Sequence, residues 1–352
     1  MNAWYPIATI AGVLAALGLG TAGWDRPPVE STQEGYRGLG MVQITNLRRY
    51  LDKPSVDQLP PEIPPVASGG PMATEQYKNI KVLTDVSAAE LMRLMTAMTA
   101  WVSPKEGCNY CHESADLASD AKYTKVVSRK MIEMVRHINS DWTSHVANTG
   151  VTCYTCHRGN PVPQNIWFNE PDPGRRMGMA ETQTGQNHPS RLVGLTSLPA
   201  DPYAAFLDRP SNIRVIATTA LPGTKGATIQ QTEYTYGLMM TMSNGLGVNC
   251  TFCHNTRSFF DWDQSSPRRV TAWHGIQLVR DVNMTYLEPL KTILPPNRLG
   301  PHGGGPRIAC GTCHQGASKP LLGANMVKTY PELQGPALAQ EAASEPAASR
   351  AR

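Results

Sequence analysis

The hydrophobic positions of this chain form one long apolar stretch at the N-terminus and several amphipathic segments further on. No charged side chain occurs between Asn2 and Trp24, and about 20 apolar residues of helix span a bilayer core. This stretch predicts a transmembrane helix within residues 1–24, with Trp4 and Trp24 as interfacial aromatic residues at its ends. A cleaved signal peptide is the alternative, but the stretch lacks a basic n-region, which favours a retained anchor.

Four later segments space their apolar side chains three and four residues apart, which predicts amphipathic helices. They read SAAELMRLMTAMTAWV (87–102), YTKVVSRKMIEMVRHINSDW (123–142), LMMTMS with its flanks (238–243) and AWHGIQLVRDVNMTYLEPL (272–290). A shift of 144 residues places Leu94–Thr99 on Leu238–Ser243, and Asn139 on Asn283. This internal repeat predicts a mainly α fold built from two repeated helical units.

Each of the eight cysteines belongs to a Cys-x-x-Cys-His motif. The four copies contain Cys108, Cys111 and His112; Cys153, Cys156 and His157; Cys250, Cys253 and His254; and Cys310, Cys313 and His314. This spacing is the signature of c-type haem, in which both thiols form thioethers and the adjacent histidine becomes the proximal iron ligand. The sequence therefore predicts four covalently bound haem c groups.

Two other uses of paired cysteines fit the sequence less well. A disulfide scaffold is a short chain and does not require a histidine after each pair. A zinc ribbon also uses cysteine pairs, but it does not need a histidine directly after the second cysteine of every pair. Four complete motifs with no cysteine left over favour haem attachment.

The repeat and the motifs together predict the organisation of the chain. Each half reads helix, haem motif, helix, haem motif, which makes it a two-haem unit, and segments rich in Pro and Gly form long irregular connectors between them. The predicted parts are a transmembrane anchor (1–24), an extended segment (25–75), the first two-haem unit (76–160), a connector (161–230), the second two-haem unit (231–318) and a partly disordered C-terminal extension (319–352).

Charge and compartment narrow the class of protein. The net charge is only +4, and no basic run interleaved with aromatic residues occurs, which argues against a nucleic-acid-binding protein. Haem attachment through this motif takes place on the outer side of an energy-transducing membrane. The sequence therefore predicts a single-pass protein of the inner membrane, either cytoplasmic or intracytoplasmic, with its haem domain in the periplasm.

Each iron that only transfers electrons also needs a distal ligand, and methionine or histidine supplies it. Near the first motif the candidates are Met92, Met95 and Met98, near the second Met131 and Met134, and near the third Met239, Met240 and Met242. A methionine stripe on a helix is also ordinary core packing. The histidines outside the motifs are His137, His145, His188, His274 and His302.

The fourth motif has no methionine at the position that the repeat predicts. The 144-residue shift places Met131 on Gly275 and Met134 on Leu278. His145 has Pro289 as its repeat partner, so it is a histidine at a point where the repeat breaks. We infer that His145 crosses to the haem of His314, with His274 as the local alternative, while the other three histidines lie at the surface or support a ligand.

Several stretches resemble the tetrahaem cytochrome subunit of photosynthetic reaction centres from purple-type phototrophic bacteria. They are GYRGLGM (35–41), TAWVSPKEGCNYCH (99–112), WTSHVANTGVTCYTCHRG (142–159), LGVNCTFCHN (246–255), CGTCHQGASKPLLGANM (310–326) and TYPEL (329–333). The resemblance implies Met95, Met131 and Met239 as distal ligands of the first three haems, and His145 as that of the fourth. It also implies a linear haem order of three, four, two, one, with the third haem nearest the bacteriochlorophyll special pair.

The same resemblance implies an electron carrier, not an enzyme. The chain would bind the reaction-centre core subunits on the periplasmic side of the membrane and re-reduce the photo-oxidised special pair. Electrons would come from a soluble cytochrome c or a high-potential iron–sulfur protein, and Glu113, Asp116 and Asp120 are candidates for attracting a cationic donor. The alternative is a membrane-anchored tetrahaem quinol dehydrogenase, although such proteins rely largely on pairs of histidines at each iron.

Overall fold

The computed structural model describes residues 4–22, 30–35, 38, 40–47, 56–67, 69–169, 190, 192–194, 196, 198–215 and 227–335. Within these ranges the chain is mainly helical, as predicted, and its strands form two short antiparallel pairs. His188 and residues 336–352 of the predicted C-terminal extension lie outside the described residues.

The α-helices, numbered in chain order, are α1 (Trp4–Ala22), α2 (Ala73–Gln76), α3 (Ala88–Val102), α4 (Tyr123–Asp141), α5 (Thr143–Val146), α6 (Cys153–His157), α7 (Ile229–Leu246), α8 (Pro267–Asp281) and α9 (Cys310–His314). Short 3-10 helices cover Gly107–Tyr110, Cys250–Phe252, Glu288–Thr292, Pro296–Arg298, Pro320–Gly323 and Pro331–Gln334. π-Helical turns cover Ala204–Asp208 and Val282–Leu287. Strand β1 (Glu30–Gln33) pairs with β2 (Val42–Thr45), and β3 (Trp167–Phe168) pairs with β4 (Pro306–Arg307).

Helix α1 occupies the N-terminal apolar stretch. Its exposed apolar side chains include Ile10, Leu14 and Leu19. In the described part of the chain, however, no helix is both long enough and apolar enough to cross a membrane. The structure therefore provides the predicted helix without providing the predicted transmembrane span.

Helix α3 begins at a capping box. The Ser87 hydroxyl accepts a hydrogen bond from the Glu90 backbone N–H at 3.3 Å, and the Glu90 carboxylate accepts one from the Ser87 N–H at 2.8 Å. These bonds satisfy two of the donors that the first turn of a helix leaves unpaired. The inner face of α3 buries Leu91, Leu94 and Trp101, and each such side chain stabilises the fold by roughly 1.5–3 kcal/mol.

The first hydrophobic core lies between α3, α4 and a segment near the C-terminus. Trp101 is 1% exposed, and its ring meets the ring of Tyr330 edge-on at a centroid distance of 4.6 Å. Val327 and Leu333 are fully buried as well. The described part of the C-terminal extension therefore closes the core of the first half of the molecule.

Two buried arginines fix this closing segment. Arg93 donates hydrogen bonds to the carbonyl oxygens of Ile63 and Thr329, both at 2.9 Å. Its guanidinium lies 3.6 Å from the Glu332 carboxylate, and both side chains are 3% exposed. Arg136 donates to the Glu332 backbone carbonyl at 2.9 Å. Arg93 thus holds both the extended segment before α2 and the C-terminal segment on α3, and Arg136 holds the C-terminal segment on α4.

The second core lies between α7, α8 and the π-helical turn at 204–208. Leu207, Leu238 and Val282 are fully buried in it. Helix α7 also starts at a capping box, in which Thr228 and Gln231 exchange hydrogen bonds, and it ends at Gly247 in the left-handed conformation. A Cβ at Gly247 would lie 2.1 Å from the Gly316 carbonyl oxygen, so this glycine lets α7 meet the fourth haem motif.

The repeat-related asparagines Asn139 and Asn283 make the same backbone contacts in their two halves. Asn139 donates to the Val151 carbonyl at 2.9 Å and accepts from the Val151 N–H at 2.7 Å. Asn283 donates to the Ile308 carbonyl at 3.1 Å and accepts from the Ile308 N–H at 2.9 Å. Val151 and Ile308 each lie two residues before a haem motif, so both asparagines hold a motif against its preceding helix.

A second hydrogen bond is also matched between the halves. The Gly159 N–H donates to the Trp101 carbonyl at 2.8 Å, and the Gly316 N–H donates to the Gly245 carbonyl at 2.7 Å. Trp101 and Gly245 are related by the 144-residue shift, and each glycine lies two residues after a motif histidine. In each half, the second haem motif therefore packs on the end of the helix that precedes the first.

His137 joins the two halves in the interior. It is 6% exposed, and its Nε2 lies 2.6 Å from a carboxylate oxygen of Asp281, which also accepts a hydrogen bond from the Trp142 indole at 2.9 Å. Its ring also packs on Tyr286 with a centroid distance of 5.4 Å. The sequence predicts that His137 lies at the surface or supports a ligand. The structure instead buries its ring between α4 and α8, where Asp281 of α8 provides a polar partner.

Candidate haem sites

A cavity of about 1510 Å³ runs through the interior and is bordered by cysteines from all four motifs. Its wall includes Cys108, Cys153, Cys253 and Cys310, and most of its other lining is apolar. Pockets for one drug-sized ligand measure roughly 300–1,000 Å³. The space therefore fits more than one large apolar group held at the motif cysteines.

All four motif histidines have the same ring orientation. In each, Nδ1 lies within hydrogen-bond distance of a backbone carbonyl: His112 to Leu117 at 2.9 Å, His157 to Asn160 at 2.8 Å, His254 to Phe259 at 2.7 Å and His314 to Ala317 at 2.9 Å. A carbonyl oxygen only accepts, so Nδ1 must carry the proton and Nε2 must offer its lone pair. This is how a protein orients an imidazole for a metal.

The local structure of the motifs follows the repeat. The first and third motifs lie on 3-10 turns, whereas the second and fourth form the short helices α6 and α9. Thr155 and Thr312, inside the second and fourth motifs, accept hydrogen bonds from the backbone N–H three residues earlier at 2.9 and 3.0 Å. Arg158 and Gln315 then end both helices in the left-handed conformation. The two motifs therefore present their cysteines with the same backbone geometry.

Burial favours the neutral form of three motif histidines, His157, His254 and His314. It lowers the pKa of His314 to about 4, and it lowers the pKa of His157 and of His254 below the ordinary value. A neutral imidazole is the form that binds a metal. Burial also raises the pKa of the Cys153 thiol to about 12, so this side chain is a poor source of thiolate for a metal ion.

The second and fourth motifs lie in direct contact. Interaction with the Cys313 thiol raises the pKa of the Cys156 thiol above its ordinary value. Around them, Gln315 donates to the Cys156 carbonyl at 3.2 Å and Arg158 donates to the Cys313 carbonyl at 3.4 Å. Groups attached at these two motifs would be neighbours.

His145 lies opposite His314. Its Nδ1 donates to the Thr271 carbonyl at 2.9 Å, and the two imidazole centroids are 6.1 Å apart. A metal–imidazole bond of about 2 Å places two rings on opposite sides of one metal about 6 Å apart between centroids. Burial also lowers the pKa of His145. The pair therefore fits a haem iron with two histidine ligands.

The local alternative to His145 is less well placed. His274 is half-buried on α8, and it does not border the cavity that His145 and His314 border. His302 is exposed. The structure thus places His145, the histidine that the broken repeat indicates, beside His314.

The two halves differ in which of their candidate methionines border the cavity. Met95, Met98, Met131 and Met134 border the cavity beside the first two motifs, whereas Met92 is 51% exposed. In the second half, Met242 borders the cavity and Met239 packs against the second core. In the first half, Met95 and Met98, and Met131 and Met134, face the same space, so the geometry leaves both members of each pair in reach.

The three acids near the first motif differ in their surroundings. Asp120 lies 2.8 Å from the Lys81 ammonium and 2.8 Å from the Arg129 guanidinium. The hydrogen bond from Lys81 is the largest cause that holds the pKa of Asp120 well below its usual range. Its charge is therefore neutralised within the protein, which leaves Glu113 and Asp116 as the candidates for attracting a cationic donor.

Sequence reasoning did not identify Gly275 as part of the site. A Cβ at this position would lie 2.6 Å from Cε1 of His145. The available signal was the repeat itself, which places a glycine where the first half has Met131.

The donor set fits haem better than a bare metal ion. Throughout the described ranges, no group of three or more His, Cys, Asp or Glu side chains could hold a metal ion. Each motif histidine instead lies beside two cysteines, which is the arrangement that holds a covalently attached haem and its iron. Fold and site together define a c-type cytochrome with covalently bound haem.

Comparison with known proteins identifies the family. The family model for the photosynthetic reaction centre cytochrome C subunit matches residues 25–334. The chain is 52% identical over 337 residues to the photosynthetic reaction center cytochrome c subunit of Rubrivivax gelatinosus, covering 96% of this chain and 91% of the relative. It is 50% identical over 334 residues to that of Thermochromatium tepidum, covering 95% and 82%. The chain belongs to the family of photosynthetic reaction centre cytochrome c subunits.

The same description applies to a relative from Roseobacter denitrificans, which is 42% identical over 318 residues and covers 86% of this chain and 85% of the relative. Membership of this family confirms the electron-transfer role predicted from the sequence. It does not favour the quinol dehydrogenase alternative.

Proposed function

We propose that this chain carries electrons to the photo-oxidised bacteriochlorophyll special pair of a reaction centre through four haem c groups. The observation that carries the proposal is the match to the reaction-centre cytochrome family across residues 25–334, together with four motif histidines oriented as iron ligands. The electrons come from a soluble cytochrome c or a high-potential iron–sulfur protein in the periplasm.

We propose that the haems are connected in the order three, four, two, one. Contacts between motifs support each step. The hydrogen bond from the Gly316 N–H to the Gly245 carbonyl joins the fourth and third sites, and that from the Gly159 N–H to the Trp101 carbonyl joins the second and first. The hydrogen bonds from Gln315 to the Cys156 carbonyl and from Arg158 to the Cys313 carbonyl join the fourth and second sites. A two-haem unit in each half, joined through the second and fourth haems, accounts for all three contacts.

Met95, Met131 and Met239 are the proposed distal ligands of the first three haems, and His145 that of the fourth. Methionine raises the potential of a haem relative to histidine. The fourth haem is therefore expected to have a low potential.

Leucine substitution tests the methionine ligands, because it removes the sulfur at nearly constant volume. Each proposed ligand is compared with the methionine three residues later as a matched control: Met95→Leu with Met98→Leu, Met131→Leu with Met134→Leu and Met239→Leu with Met242→Leu. Loss of a ligand should remove the His/Met spectrum of one haem, and a control should leave all spectra intact. If Met242→Leu alters the third haem and Met239→Leu does not, the third assignment is wrong.

We propose that helix α1 attaches the chain to the inner membrane with the haem domain in the periplasm. The charge-free sequence from Asn2 to Trp24 supports this attachment, although no described helix satisfies the length and apolarity needed for a span. Carbonate extraction of membranes tests it. A chain lacking residues 1–24 behind a cleavable leader should be released, and release of the full chain under the same conditions would contradict the proposal.

Removing single haems tests the direction of electron flow. The variants are expressed in a strain that lacks the chain, and its membranes are assayed. A variant with serine at Cys250 and Cys253 should fail to restore fast re-reduction of the special pair, because the third haem is missing. A variant with serine at Cys108 and Cys111 should restore it on the first flash and fail on later flashes, when donor electrons are needed. Equal behaviour of the two variants would contradict the proposed order.

A further inference from the structure

Gly275 lies in the interior of helix α8, where glycine is unfavourable. Glycine loses more conformational freedom than any other residue when it enters a helix, and the backbone of Gly275 is ordinary right-handed helix, which does not require glycine. Its presence therefore needs an explanation from its surroundings.

The surroundings consist of the His145 imidazole. A Cβ at Gly275 would lie 2.6 Å from Cε1, 2.9 Å from Nδ1 and 3.2 Å from Nε2 of His145. Real Cβ atoms do not come this close to another heavy atom, so the ring would have to move. The imidazole thus packs directly on the backbone of α8.

The same glycine also exposes the group that orients His145. Side chains on a helix point towards its N-terminus and cover the preceding turn. The Thr271 carbonyl lies one turn before Gly275, and it accepts the hydrogen bond from His145 Nδ1 at 2.9 Å. A side chain at position 275 would therefore close both the space for the ring and the approach to its hydrogen-bond acceptor.

The internal repeat shows what the other half places at this position. Met131 corresponds to Gly275 under the 144-residue shift, and Met131 borders the cavity beside the second motif. The helices are comparable at this point, because Asn139 and Asn283 make the same contacts eight residues further on.

We infer that Gly275 is a positioning residue that selects the distal ligand of the fourth haem: its missing side chain admits His145, and a methionine there would replace it. The inference rests on the proposed haem ligation. It adds that one residue on α8, and not His145 alone, makes this site different from its repeat partner.

The test uses the full haem-loaded chain, with Gly275→Ala and Gly275→Met, and reads out electron paramagnetic resonance of the ferric haems and a redox titration. The matched control is Gly18→Ala, since a Cβ at Gly18 in helix α1 meets nothing within 4 Å. Gly275→Ala should remove the bis-histidine signal. Gly275→Met should replace it with a His/Met signal and raise the potential of the fourth haem. The control should keep the bis-histidine signal unchanged.

Retention of the bis-histidine signal and of the low potential in Gly275→Ala would overturn the inference. If the Gly275→Ala protein does not accumulate, the double variant His145→Gly with Gly275→Ala is compared with His145→Gly alone. The double variant lacks the clash, so both proteins should accumulate to the same level. Failure of the double variant beside a stable His145→Gly would equally overturn it. Added imidazole should restore the bis-nitrogen signal in His145→Gly and not in the double variant.

Neither readout depends on light. Flash-induced oxidation of the haems could be absent while the ligation changes occur as described, or present while they do not. Failure of this inference and failure of the proposed function can therefore be told apart.

Discussion

Replacement of Asn283 by alanine should destabilise the second half of the molecule. Asn283 is fully buried and makes three hydrogen bonds, to the carbonyl oxygens of Leu207 and Ile308 at 3.1 Å and from the Ile308 N–H at 2.9 Å. Each bond contributes about 1 kcal/mol, and a partner left buried and unpaired costs at least as much. We expect Asn283→Ala to lower the free energy of unfolding by about 3 kcal/mol.

Urea denaturation of the haem-loaded chain measures this loss. With a slope of about 3 kcal/mol per molar urea, the midpoint should fall by about 1 M. The matched control is Asn212→Ala, since Asn212 is exposed and its side chain accepts a hydrogen bond from the N–H of Arg214 two residues later. Exposed substitutions of this kind change stability by less than about 0.5 kcal/mol.

Each asparagine substitution should first alter the haem whose motif that asparagine holds. Because Ile308 lies two residues before Cys310, Asn283→Ala should alter the spectrum of the fourth haem first, whereas Asn139→Ala should alter that of the second. A midpoint for Asn283→Ala within error of the Asn212→Ala control would refute the proposed role of this side chain.

Two further predictions concern buried and exposed charges. Arg93→Met should lower the free energy of unfolding by about 3–5 kcal/mol, because Glu332 then keeps a buried charge without its partner. Adding Glu332→Gln should recover part of this loss in the same urea assay. If the double variant recovers no stability, the loss does not come from the unpaired charge. Neutralising Glu113 and Asp116 together should slow the oxidation of a cationic donor at low salt and not at high salt. Asp120→Asn should leave that rate unchanged, and stopped-flow kinetics measure the rate for both variants. An equal effect of Asp120→Asn would show that its ion pairs do not neutralise its charge.

Local sequence signals predicted the helices well where the determinants are local. Helix α3 was expected at 87–102 and covers Ala88–Val102, because the capping box and the apolar spacing both lie within the segment. The fourth predicted helix, 272–290, is instead α8 followed by a π-helical turn and a 3-10 helix. Pro289 cannot continue an α-helix, and Asn283 turns its amide towards Ile308, a contact that the local sequence does not show.

The site was predictable as far as covalent chemistry fixes it. The motif spacing names the attachment cysteines and proximal histidines, and the broken repeat named His145, which lies opposite His314. The repeat alone leaves the choice between Met239 and Met242 open, because it depends on how α7 is rotated against the cavity. The burial of Arg93 was also unpredictable, since its partners Ile63 and Thr329 lie far from it in the sequence.

Delivery of electrons from this chain to the special pair is measured by the flash-induced absorbance change of the haem α-band. The measurement uses native membranes poised so that the high-potential haems are reduced. We expect haem oxidation on the microsecond scale or faster, with re-reduction of the special pair at the same rate. Active reaction centres without any flash-linked haem oxidation would contradict it.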